Sequence, residues 1–202
     1  MNGEKFNEIS DKFAEIAVKI GNNIYLRTLR DAFITIMPVF ILAGLAVMIN
    51  NVIFPLIAEG ESLKKLQLFG NVLTNGTLNI AGLLIAVMIA YLYSVNRNFK
   101  NPISTVVISL SSLIIMMAST VSITPDGGEG AMSITNGVLL FNHIGTKGMF
   151  AGIIIGLVSS MLYIKLTELK CMQINMPEGV PPQVGKTFSV LLSSMLTLVI
   201  MG

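Results

Sequence analysis

Charge is scarce in this chain. Asp, Glu, Lys and Arg make up 12% of its 202 residues, about half the usual share of a soluble domain. No run of lysine and arginine interleaves with aromatics, so a nucleic-acid partner has no support. The single cysteine, Cys171, cannot form an intramolecular disulfide. Its plain reading is an unreactive thiol near a membrane surface, set against catalysis. The single histidine, His143, has no acidic residue or cysteine beside it, and a metal site would need further ligands. It reads as a surface or interface residue, with a proton carrier as the alternative. No Walker loop is present, so the chain does not hydrolyse a nucleotide by itself. No aspartate pair lies at a membrane edge to hold magnesium, which argues against prenyl transfer or lipid synthesis. Catalytic, cofactor-binding and metal-binding residues are therefore read as none, and the substrate-binding residues as unknown.

Apolar sequence is abundant instead. Hydrophobic residues are 53% and the mean hydropathy is +0.77. Phe33–Ile53, Val72–Tyr93, Ile103–Val121 and Gly148–Leu166 each run for roughly 20 residues, enough to cross about 30 Å of hydrocarbon as a helix. Phe188–Met201 reaches only about 21 Å at about 1.5 Å per residue. The pattern predicts an all-α polytopic membrane protein with four full transmembrane helices and a truncated fifth. The amino terminus is polar and acidic, and no cleavage site follows the first apolar run, so it does not read as a secretory signal.

Positive charge predicts the orientation. Lys5, Lys12, Lys19, Arg27 and Arg30 precede the first span, Arg97 and Lys100 follow the second, and Lys165, Lys170 and Lys186 follow the fourth. The opposite side holds Lys64, Lys65 and Lys147. Basic residues favour the cytoplasmic side, so the amino terminus is expected inside. The loop from Thr124 to Glu129 is then expected outside.

Before the first span, Phe6, Ile9, Phe13, Ile16, Ile20 and Ile24 recur at spacings of three and four. Residues 1–31 thus read as a cytoplasmic amphipathic segment and 33–201 as membrane spans. The amphipathic helix can lie in the lipid interface or pack on the protein's own cytoplasmic face. Gly21, Asn22 and Asn23 interrupt it. Pro38, about one turn inside the first span, removes a backbone donor and bends the helix.

Asn71, Asn75 and Asn79 share one helix face, with Gly82 above them. They can line a polar route, or hydrogen-bond to a neighbouring helix, the commoner role. The third span carries Ser104, Thr105, Ser109, Ser111, Ser112 and Ser119, hydroxyls that can bond back to their own helix and let neighbours approach. Gly148, Gly152, Gly156 and Ser160, spaced by four, form a smooth ridge that specifies close helix packing, with the partner helix unidentified. Met176 through Val184 contains three prolines and a glycine, which predicts an extended bend and no regular helix.

Five segments carry a family resemblance. Lys19 to Asn23, Leu26 to Phe33 and Met37-Pro38 resemble the start of phosphotransferase-system sugar permeases. Gly145 to Phe150 resembles their turn into the fourth span. Met176 to Val184 resembles the loop before the fifth. The group is the membrane-spanning IIC component of the lactose/cellobiose (diacetylchitobiose) family. The resemblance implies a homodimeric, multi-pass permease of the bacterial cell membrane with ten spans per subunit. It implies uptake of a β-linked disaccharide such as cellobiose, lactose or diacetylchitobiose, coupled to phosphoenolpyruvate-dependent phosphorylation. Its partners would be a second copy of the chain, a cytoplasmic IIB phosphocarrier, the disaccharide and the lipid bilayer.

By that resemblance, residues 1–202 correspond to the amino-terminal, dimer-interface half. The later spans and re-entrant hairpins, with the sugar site's histidine and glutamate, have no counterpart here. The family's phosphocysteine belongs to a separate soluble component, and Cys171 matches no part of it. A non-transporting scaffold that only dimerises is the competing reading.

Overall fold

The structure is a computed structural model that describes residues 14–15, 18–117, 120–123, 132–135, 141–172 and 182–202. Most of the expected amphipathic segment, the loop from Thr124 to Glu129, and Met176 to Pro181 lie outside the described residues. Residues 18–21 are helical and Asn22 forms a turn. Asn23 then caps α1 (Ile24–Met48), its side chain accepting from the Tyr25 backbone N–H at 2.9 Å. That bond satisfies one of the free donors at the helix start.

Pro38 lies inside α1, which continues past it. The helix then loosens into a π-helical segment, Ile49–Ile53, and a final turn, Phe54–Ile57. The 34 residues Ile24–Ile57 measure roughly 50 Å at about 1.5 Å per residue, more than a bilayer core needs.

The second apolar run is not one helix. α2 (Gly60–Asn75) and α3 (Ala81–Asn96) are separated by a turn at Gly76 and Thr77 and a 3₁₀ turn at Leu78–Ile80. Val72–Tyr93 therefore straddles a break that hydropathy does not register. Glycine and β-branched threonine support a helix poorly, and the Thr77 hydroxyl bonds to the Leu73 carbonyl at 2.6 Å. α3 ends in a defined cap. Asn98 adopts the left-handed conformation (φ 54), with Phe99 N–H bonded to Ser94 O and Asn98 N–H to Val95 O. This is the Schellman arrangement, which satisfies the last carbonyls.

The third run is also shorter as a helix than its apolar length suggests. α4 (Pro102–Ile115) stops before β1 (Thr120–Ile123), which pairs antiparallel with β2 (Met132–Thr135), Thr120 opposite Thr135. Among the described residues this hairpin is the one β element. The β-branched residues of Thr120–Ile123 suit a strand and satisfy the apolar count equally well.

After a one-turn helix, Phe141–Ile144, and a 3₁₀ turn, α5 (Met149–Glu168) follows the fourth run closely. α6 (Pro182–Met201) begins six residues before its apolar run. The expected bend is thus corrected at Pro182, Gln183 and Val184. A proline is tolerated in the first helical turn because its missing N–H has no partner there.

α3 is the central helix. Ala32 and Ile36 of α1 pack on Ile85 and Ile89, with Met149, Ile153 and Leu157 of α5 alongside. On its other side Ala86 packs with Leu113 of α4, Ile155 of α5 and Met201 of α6. Large apolar residues cover the outside, including Ile34, Ile41 and Leu45 of α1, Val52 and Leu56 of its continuation, and Phe150 and Val158 of α5. Three helical stretches, Ile24–Ile57, Gly60–Asn96 and Thr146–Glu168, are long and apolar enough to cross a membrane among the described residues.

Candidate functional site

The small-residue ridge of α5 meets α3. A Cβ at Gly152 would strike the Gly82 carbonyl, and one at Gly156 would lie 2.9 Å from the Ala86 carbonyl oxygen. The facing stripe on α3 is itself spaced by four: Gly82, Ala86, Ala90 and Ser94 are all buried. The Gly82 N–H donates to the Gly145 carbonyl at 3.2 Å, fastening the start of α3 to the turn before α5. A Cβ at Gly82 would lie 2.9 Å from the Gly148 carbonyl carbon, so Gly148 belongs to the seam and also serves the local turn. A Cβ there would strike the His143 carbonyl, so it closes the local turn. Ser160 is fully buried and its hydroxyl bonds to the Gly156 carbonyl. The seam is a packing surface with no chemistry of its own.

Polar side chains gather where the π-helical segment meets α2. Asn50 is 6% exposed. Its Nδ2 donates to Asn71 Oδ1 at 3.0 Å, and its backbone carbonyl accepts from Gln67 Nε2 at 3.2 Å. Gly70 permits the approach, since a Cβ there would strike the Asn50 amide. Widening a helix to the π form alters its regular carbonyl pairing, and Gln67 takes up one such carbonyl.

The Asn71, Asn75 and Asn79 face therefore divides. Asn71 is an interhelical partner, whereas Asn79 donates to Asn75 across the helix break at 2.7 Å. Asn50 and Asn71 are legible as amides in apolar sequence. Gln67 and Gly70 are not, because only the π turn brings them against Asn50.

His143 is exposed and lines a cavity of about 330 Å³ at the carboxyl end of α4 and the amino end of α5. Met116 and Met117 form an apolar wall, and Asn142 and Lys147 stand beside the histidine. No carboxylate is among these described lining residues, so none is placed there to orient the imidazole. Cys171 is exposed and free. Among the described residues no group of three or more His, Cys, Asp or Glu could hold a metal ion.

At the opposite end, Asp31 accepts from Arg30 Nε at 2.9 Å and lies 3.8 Å from Arg27 Nε. Asn96 Nδ2 donates to the buried Thr28 hydroxyl at 3.0 Å, joining α3 to α1. The Tyr25 and Tyr93 rings stack with centroids 5.8 Å apart.

Comparison with known proteins adds an independent line. The family model described as phosphotransferase system, EIIC matches residues 30–202. The oligo-beta-mannoside-specific EIIC component of Bacillus subtilis (strain 168) is 30% identical over 196 residues, covering 96% of this chain and 42% of that protein. The lichenan permease IIC component of the same organism is 31% identical over 195 residues, covering 93% and 42%. The cellobiose-specific EIIC component of Geobacillus stearothermophilus is 27% identical over 199 residues, covering 95% and 43%. Among solved structures, the transporter ChbC, the IIC component of the N,N'-diacetylchitobiose-specific phosphotransferase system, superposes with a TM-score of 0.77 at 22% identity. The match covers 93% of this chain and 44% of that one, and it shows a shared fold. The chain spans less than half the length of these relatives.

Proposed function

This chain belongs to the phosphotransferase system EIIC family, and from that premise we propose that it is the amino-terminal, dimer-interface part of a sugar permease. The permease takes up a β-linked disaccharide and works with a cytoplasmic IIB phosphocarrier that phosphorylates it. The observation that carries this reading is the family match over residues 30–202, joined to relatives whose names specify cellobiose, lichenan and oligo-beta-mannoside. In our reading the amino terminus is cytoplasmic, because ten of the thirteen basic residues fall on that side.

The structural support is of one kind. The described part is a packed helical scaffold, with α1, α4 and α5 arranged about α3 and an apolar exterior. That is a frame on which a moving, sugar-binding part can be carried. The test is disruption of the gene in the bacterium that carries it. Permeabilised cells should then lose phosphoenolpyruvate-dependent phosphorylation of at least one of cellobiose, lactose, diacetylchitobiose or a β-mannoside. Unchanged phosphorylation of all four would refute the reading.

A further inference from the structure

The cavity beside His143 joins an apolar interior to a basic rim. Leu113 and Ile155, 2% and 7% exposed, form its inner wall with Met117. The same three side chains pack in the layer of Ala86 and Met201, so the cavity reaches inward to the bundle core. Asn142, His143 and Lys147 line the same space and are exposed. None of these three side chains has an ion-pair or hydrogen-bond partner among the described residues.

No carboxylate is among the described lining residues. α5 starts beside them without a side-chain cap and without an acidic residue in its first turn. The positive end of its dipole therefore adds to the Lys147 charge. The cavity lies where α4 ends and α5 begins, and exposed apolar side chains, Met116 and Phe150, stand at that level. The ends of apolar spans mark the boundary between hydrocarbon and headgroups.

We propose that the cavity holds part of one acyl chain of an anionic phospholipid, with the lipid phosphate bound at the rim by Lys147 and His143. A volume of about 330 Å³ is at the lower end of the range of about 300–1,000 Å³ for small-molecule sites. It suits a length of chain and not a whole lipid. The apolar wall favours hydrocarbon. An ammonium donates to phosphate oxygens, and an imidazole has an N–H to donate in either protonation state. The Asn142 amide can bond the ester or glycerol oxygens between the two ends. A sugar fits worse, because the inner wall offers its hydroxyls no hydrogen-bonding side chain. The site depends on the chain's place in a membrane and not on which sugar is carried, so its test is separate from the phosphorylation test.

Unfolding of the full chain in an uncharged detergent, with and without added lipid, tests the site. Dioleoylphosphatidylglycerol should raise the midpoint saturably, by about 5–10 °C at a hundredfold excess over its dissociation constant. Dioleoylphosphatidylcholine should stabilise clearly less, because Lys147 repels its quaternary ammonium. Lys147→Gln should weaken the phosphatidylglycerol response about tenfold. Lys65→Gln, an exposed lysine of α2 that does not line the cavity, should leave it unchanged. Ala151→Phe puts a ring into the space that the chain would fill and should remove the response. If that variant does not fold, Ala151→Leu and Lys147→Gln decide.

Equal shifts with the two lipids, or no shift with either, would overturn the proposal. So would a full phosphatidylglycerol shift retained by Lys147→Gln or by Ala151→Phe. Inorganic phosphate that raises the midpoint as much as phosphatidylglycerol, and still does so in Ala151→Phe, would assign the rim to a free anion and refute the lipid.

Discussion

Asn50 shows how one residue can tie two helices in an apolar setting. Its Nδ2 reaches Asn71 and its carbonyl accepts from Gln67, while its Oδ1 has no hydrogen-bond partner. An amide in such surroundings is stabilising only while it stays paired. Asn71→Ala should therefore cost about 1–3 kcal/mol, because it leaves the Asn50 amide buried and unpaired. The double variant Asn50→Ala, Asn71→Ala should cost less than the two single changes together. A coupling of about 1 kcal/mol in a double-mutant cycle is the expected measure, and full additivity would show that the bond contributes nothing. His143 makes the opposite point, since a lone polar residue in the sequence proves to be an exposed one.

At the scale of the element, close approach decides the α3–α5 seam. The backbones meet with glycine or alanine on both sides, so a larger side chain must push them apart. Gly156→Leu should cost about 1–3 kcal/mol through overpacking. Val158, 45% exposed and off the ridge, should tolerate leucine within about 0.5 kcal/mol. Unfolding of both variants in detergent checks the contrast, and equal midpoints would remove the seam from the account.

The end of α3 supplies a second test. Asn98 holds the left-handed conformation that closes the cap, and a β-branched side chain is strained there by about 1–2 kcal/mol. Asn98→Val should destabilise by that amount, and Asn98→Gly should be neutral or stabilising. The same midpoint for the two would mean that the cap adds nothing.

For the whole molecule, the apolar exterior and the proposed orientation lead to two measurements. After Cys171→Ser, a membrane-impermeant thiol reagent applied from outside should label Glu61→Cys and spare Lys100→Cys, both exposed positions. The reverse pattern would invert the topology. The chain should also cross-link as a dimer in detergent, yet cells carrying it alone should not accumulate cellobiose, because the proposed sugar-site part lies in other residues. Accumulation dependent on this chain alone would refute that division of labour.

Hydropathy by itself determined that this is a membrane-type helical chain, because the cost of burying backbone in lipid leaves long apolar helices as the solution for such sequence. The spacing of Gly152, Gly156 and Ser160 likewise determined that α5 packs closely, since small residues on one face have that effect in any context. Only the tertiary structure decided the partner. The matching stripe of Gly82, Ala86, Ala90 and Ser94 was legible as small residues, but not as the surface opposite. The breaks were decided there too, at Gly76–Ile80, at Ile115 and at Asn50, because hydropathy counts apolar side chains and ignores whether the backbone carries them in one helix. The sequence shows that the hydroxyls of α4 can bond back to their own helix or let a neighbour approach, but not which does which. Ser104 bonds to the Asn101 carbonyl one turn back, Ser109 crosses to α3, and Thr105 is buried without a hydrogen-bond partner. A hydroxyl's partner is set by what lies within about 3 Å of it, and that is a property of the packed bundle.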